Sequence, residues 1–167
     1  GERAIAAALA GSATDLVVLR PVLMYGADPK GNMAALLRLA RTRWPLPFGR
    51  LNARRSLLSR DNFADAVAHA LTVGAGVPQT FLVADDGDMS IAQIVAALRA
   101  AEGHDPRLIR LPVPGAAAVL RAIGKDDLAD RLFGNLVVTT ARLTATGWRA
   151  PQSTASGLTE MARATRP

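Results

Sequence analysis

DLVVLRPVLMYG (residues 15–26), KGNMAALLRLARTRWPLPFG (30–49) and RRSLLSRDNFADAV (54–67) are the stretches on which the fold turns. Asp15 to Arg20 is a short apolar run of the kind a buried strand requires. Arg20-Pro21 ends it, because proline has no N–H to give to a sheet. Gly26, Pro29 and Gly31 then predict a loop around Tyr25. From about Asn32 to Thr42 a helix is expected, with Met33, Leu36, Leu37 and Leu39 forming its apolar side. Trp44 to Gly49 is too proline-rich for a central strand and reads as an extended edge segment. Arg55 to Ser59 is a second short strand. Asp61 is expected to cap a helix reaching about Thr72, with Phe63, Ala66, Val67, Ala70 and Leu71 at helical spacing.

The same alternation continues outward. Residues 2–10 are Ala-rich and helical without a visible N-cap, and Gly11-Ser12 closes them. Gln79 to Ala84 is a strand, followed by a turn at Asp85-Asp-Gly-Asp88, which reads as solvated. Ser90 is a good N-cap for a helix over 91–102. Arg107 to Leu111 is extended, helices are expected near 115–123 and 126–133, and Leu136 to Val138 leads into a helix over about 140–146. That helix ends at Gly147-Trp148, and a last one runs from about Thr154 to Ala164. Short strands with flanking helices make this an α/β chain. No repeat or long linker divides residues 1–167, which read as a single domain.

Composition narrows the chemistry. The chain has 167 residues, half of them hydrophobic and 20% charged, so a packed core is expected rather than disorder. No run approaches the roughly 18 apolar residues of a membrane span, and the N-terminus lacks the apolar core of a secretory signal. With no cysteine and two histidines, His69 and His104, thiolate metal sites are excluded and other metal centres disfavoured. The net charge of +6 is spread along the chain and carried by 18 arginines among 20 basic residues. Aromatics are too few to stack bases, which argues against nucleic acid as partner. A dinucleotide glycine fingerprint, a complete phosphate loop and a nucleophile elbow are all missing. Tyr25 is the single tyrosine, and its nearest lysine, Lys30, is not four residues on.

The three opening stretches, together with the tail LFGNLVVTTARLTATGWRAPQSTASGLTEMA (132–162), resemble the C-terminal half of the NAD-dependent epimerase/dehydratase family, the extended short-chain dehydrogenases/reductases that act on nucleotide sugars. The resemblance implies that part of the fold without the N-terminal glycine-rich Rossmann half. Gly1-Glu-Arg-Ala-Ile looks like the continuation of the helix that bears the family's Tyr-x-x-x-Lys pair. A chain of this kind would then be the substrate-binding portion of a larger cytoplasmic enzyme, with no catalytic residue of its own.

The family pattern implies further that Pro21, Val22 and Leu23 lie along the nicotinamide end of NAD or NADP, through their backbone. Asn32 would meet the substrate diphosphate, or serve simply as an N-cap. Leu46, Pro47 and Phe48 would cradle the base of a UDP-linked sugar, or pack as a stiff edge. Arg55 aligns with the arginine that grips the diphosphate, a task suited to a guanidinium fork. Arg54 is its competitor and should face solvent if Arg55 faces the cleft. The family's Arg-x-Gly-Asp motif is replaced at 107–114 by RLIRLPVP, where Arg110 is the candidate substitute. The implied activity is a 4-epimerase acting through a transient 4-keto sugar, in a homodimeric parent. Reduction of 4-keto sugars, as in polysaccharide-biosynthesis clusters, and a non-catalytic binding module are the alternatives.

Overall fold

The computed structural model describes residues 1–73, 79–110, 122 and 134–165. The elements in chain order are α1 (Glu2–Leu9), β1 (Val17–Pro21), β2 (Leu23–Tyr25), α2 (Gly31–Arg41), β3 (Arg54–Arg55), β4 (Leu57–Ser59), α3 (Arg60–Ala70), β5 (Gln79–Val83), β6 (Met89–Ser90), α4 (Ile91–Ala101), α5 (Ala141–Ala145) and α6 (Thr154–Ala164). Apart from residue 122, the helices expected near 115–123 and 126–133 lie outside the described residues.

Two parallel pairs form the centre. β1 runs beside β5 from Val17 opposite Gln79 to Pro21 opposite Val83, and β2 runs beside β4 from Leu23 opposite Leu57 to Tyr25 opposite Ser59. The Asp85 N–H donates to the Leu57 carbonyl at 2.8 Å and so ties the end of β5 to β4. All three residues of β4 are buried, as a strand covered on both faces must be. Successive side chains on a strand point to opposite faces, and β4 shows what covers each one. Leu57 packs with Met33 and Leu37 of α2, Ile94 and Leu98 of α4, and Leu158 and Met161 of α6. Leu58 packs the other way, with Ala66 of α3, Phe81 and Val83 of β5, Leu143 of α5 and Trp148. The strands therefore lie between two helical layers. A third cluster, Leu46, Leu51, Ile91 and Val95, extends the first layer beyond β6.

Several expectations need correction. Pro21 is the last residue of β1 rather than its terminator, a position where the missing N–H is tolerated. Tyr25 is a buried strand residue, not part of a loop. The run from Arg55 to Ser59 is two strands, because the backbone changes partners at Ser56: β3 pairs antiparallel with β6, whereas β4 pairs with β2. Ser59, not Asp61, caps α3, accepting from the Asn62 N–H. Asn32 is not an N-cap; Lys30 holds that position on α2, without a side-chain cap. Asp85 is buried rather than solvated. Ser90 does cap α4 and forms a reciprocal box with Gln93.

Arg99 is a fully buried guanidinium on α4, donating to the carbonyls of Pro106 at 2.8 Å and Thr42 at 3.0 Å, and to that of Trp44. It thus clamps the exit of α2 to the loop after α4. Burial holds its pKa below the ordinary value, with Arg107 adding to the effect.

Candidate functional site

The residues singled out from sequence fall along one connected path, with one exception. At the carboxyl ends of β1 and β5 the chain crosses from one parallel pair to the other through Pro21, Val22 and Leu23. Pro21 is exposed, Leu23 is 50% exposed, and the Val22 N–H is committed to the Val83 carbonyl at 3.2 Å. Leu23 faces Leu57, two residues beyond Arg55.

Arg54 and Arg55 point to opposite sides of β3, Arg54 exposed and Arg55 half-buried. The Arg54 guanidinium donates to the Asp88 carbonyl, and that of Arg55 to the Gly134 carbonyl. Burial holds the Arg55 pKa below its ordinary value. Arg55 is also opposite Met89 of β6 and bridged to Leu136, so backbone flanks it on both sides.

β6 leads directly into α4, whose first turn carries the next part of the path. Ile91 packs with Leu46 and Leu51, with Phe48 half-buried against them, and the Ala92 N–H donates to the Leu51 carbonyl at 3.3 Å. Leu46 pairs with the 107–109 segment: its N–H donates to Arg107 at 3.1 Å and its carbonyl accepts from Ile109 at 2.8 Å. Pro47 is exposed. Gly49 lies under the Arg110 stem, whose Cγ a Cβ there would approach to 3.1 Å. Leu46, Pro47, Phe48 and Arg110 therefore share one edge. Asn32 is the exception. It is exposed in the first turn of α2, and no hydrogen bond joins it to the path.

Sequence reasoning missed a buried polar network behind the path. The Tyr25 hydroxyl donates to Asp85 Oδ2 at 2.6 Å, while Asp85 Oδ1 accepts from the Ser59 N–H at 2.9 Å and the Asn62 amide at 2.7 Å. Asn62 donates also to the Gln152 carbonyl at 2.8 Å and accepts from the Gln152 N–H at 3.2 Å. Burial, then Asp85, pushes the Tyr25 pKa far up. Burial raises that of Asp85 as well, against the lowering effect of its three donors. The signal was there in part: Asn62 stands four residues before Ala66, on the buried face of α3. The histidines join no such cluster; His69 Nε2 is 2.8 Å from Thr146 Oγ1, and His104 Nδ1 is 3.4 Å from the Ala40 carbonyl. Among the described residues no three His, Asp or Glu side chains gather as a metal site would require, and no helix is long and apolar enough to cross a membrane.

No protein-family model matches the chain. It is 35% identical, over 98% of its length, to a curated UDP-glucose 4-epimerase from Vibrio cholerae, of which it covers 50%. The chain matches about half of an epimerase/dehydratase enzyme. Solved structures agree on the fold. A human epimerase family protein, SDR39U1 isoform 2 with NADPH, superposes with a TM-score of 0.69 at 24% identity, covering 92% of this chain and 50% of that one. UDP-glucose 4-epimerase from Thermotoga maritima, solved with UDP-glucose, gives 0.67 at 16% identity, covering 98% and 50%. The chain spans about half the length of these epimerase/dehydratase relatives and matches their C-terminal half.

Proposed function

We propose that this chain is the nucleotide-sugar-binding portion of a UDP-sugar 4-epimerase that works through a transient 4-keto sugar. The observation that carries the reading is the 35% identity to a UDP-glucose 4-epimerase along nearly the whole chain. The geometry supports it. Arg55 is a half-buried cation whose loss of water an anionic diphosphate would offset through a bidentate, charge-assisted contact. Pro47 and Phe48 offer an exposed and a half-buried ring-bearing face to the base, while Leu46 is held by its bridge. Arg110, lying over Gly49 on the same edge, adds a second positive charge. Asn32, exposed in the first turn of α2 and apart from this path, is proposed for the diphosphate on the family resemblance alone.

Pro21 to Leu23 would flank a nicotinamide at the step between the strand pairs, where Pro21 and Leu23 are exposed. When bound, NAD would supply acceptance and return of a hydride at the sugar C4. The residues of this chain would bind and orient the nucleotide sugar, and hold it for attack on either face. Tyr25 is unsuited to proton abstraction, because its hydroxyl is buried, bonded to Asp85 and pushed towards the protonated form. In this reading the base is the tyrosine–lysine pair that the family resemblance implies, not Tyr25. A role in polysaccharide biosynthesis in the cytoplasm fits this chemistry.

The test is interconversion of UDP-glucose and UDP-galactose by the full-length, NAD-loaded enzyme. Arg55→Ala should weaken UDP binding by about 1.5–3 kcal/mol, the range for a hydrogen bond to a charged group, or roughly 10- to 150-fold in Kd by calorimetry. Stoichiometric oxidation of NADPH with a UDP-4-keto sugar, without interconversion, would replace the epimerase reading with a reductase. Unchanged UDP affinity would remove Arg55 from the site.

A further inference from the structure

Ser56 follows Arg55 at the point where the backbone changes partners, and it is 2% exposed. Its hydroxyl donates to Asp88 Oδ1 at 2.6 Å and accepts from the Val138 N–H at 3.0 Å, while its own N–H donates to the Leu136 carbonyl at 2.9 Å. Those two partners stand on the two walls that flank Arg55. One wall is the turn leading into β6, with Met89 opposite Arg55. The other is the segment 134–138, which supplies the Gly134 carbonyl to the Arg55 guanidinium and bridges through Leu136. The walls hold Arg54 too: the Asn135 side chain accepts from its N–H at 2.8 Å, and the Asp88 carbonyl from its guanidinium. One hydroxyl is thus bonded to both segments between which Arg55 lies.

We propose that Ser56 is a positioning residue, whose hydroxyl locks the Asp88 turn and the 134–138 segment on either side of Arg55 and so fixes the aim of its guanidinium. The inference rests on Arg55 as the diphosphate ligand. Neighbours along an extended backbone face opposite ways, so the Ser56 hydroxyl and the Arg55 guanidinium leave the strand on opposite sides, and Ser56 acts on a ligand of Arg55 only through Arg55. A guanidinium on a long side chain loses rotamer freedom when it grips a ligand, and walls already locked reduce that loss. Without the hydroxyl, the Asp88 carboxylate and the Val138 N–H each lose a partner, and the walls loosen together.

The discriminating measurement is calorimetric binding of UDP and of uridine to the full-length protein and its variants, with Tm recorded for each. Ser56→Ala should weaken UDP severalfold while leaving uridine, which has no diphosphate, unchanged. In the double variant R55A/S56A the loss should equal that of R55A alone, because the two residues act as one unit. Asp88→Asn, which keeps the shape and weakens the acceptor, should show the same selective loss to a smaller degree, and carries the test if S56A does not fold. Equal losses for UDP and uridine, additive losses in the double variant, or undiminished UDP affinity in both S56A and D88N would overturn the proposal. If R55A itself binds UDP normally, the diphosphate reading falls and the proposal falls with it; normal effects of R55A with additive S56A would sink the proposal alone.

Discussion

A carboxylate taken out of water needs donors, and Asp85 has three: the Tyr25 hydroxyl, the Ser59 N–H and the Asn62 amide. Tyr25→Phe removes one and should cost about 1.5–3 kcal/mol of stability in urea unfolding, as for hydrogen bonds to charged groups. The pH dependence has a definite sign. The folded Asp85 carboxyl holds its proton more tightly than the ordinary carboxyl of the unfolded chain, with its pKa at 3.8. The folded state therefore binds more protons just above that pH, and this group's contribution falls as pH rises through that window. Removing the tyrosine hydroxyl takes away a lowering influence, so the fall should be steeper in Tyr25→Phe. Urea midpoints collected from pH 3 upward in both proteins test this, and parallel curves would contradict it.

At the scale of an element, α3 shows how a cap is chosen. Ser59 has the extended backbone of an N-cap, with ψ at 150°, and its side chain accepts from the Asn62 N–H at 3.0 Å; Asp61 stands in the first turn. Ser59→Ala should therefore cost about 1 kcal/mol or more, whereas Asp61→Ala should cost only a few tenths through the helix dipole. Thermal melts of the two variants would show the order, and a larger loss for Asp61→Ala would reverse the assignment. The body of α3 was legible from the spacing of Phe63 and Ala66, since burial of one face imposes that period. The cap was not, because Ser and Asp are equally good caps and only tertiary pairing of β4 decides where the backbone stops being extended. The path residues divide in the same way. Arg55 could be singled out from the family resemblance alone, but the segments that flank it, Met89 and Gly134 to Val138, are distant in sequence and follow no local pattern. The Asp85 turn read as solvated for the same reason: its donors come from three other segments.

For the molecule as a whole, the two helical layers around the strands are the main source of stability, and α6 closes one of them. Leu158 is fully buried among Met33, Leu37, Ile94 and Leu98, and Leu158→Ala should destabilise by about 2–5 kcal/mol, the range for a truncated core leucine. Equilibrium unfolding would register the loss, and a value below about 1 kcal/mol would mean that α6 is not part of this core. The alternation of strands and helices was readable from sequence because each element buries a face of its own. Which strand lies beside which was not, since parallel partners are never chain neighbours. That arrangement also bears on time. The Tyr25 hydroxyl meets residues 60 and 129 positions further along the chain, and both central pairs join strands separated by helices. Such contacts require large loops to close before any of them is rewarded, which slows folding relative to a topology built from local contacts. During that interval the apolar strands β1 and β5 are unpaired and open to other chains, so dilute, cool refolding suits this architecture better than rapid refolding at high concentration.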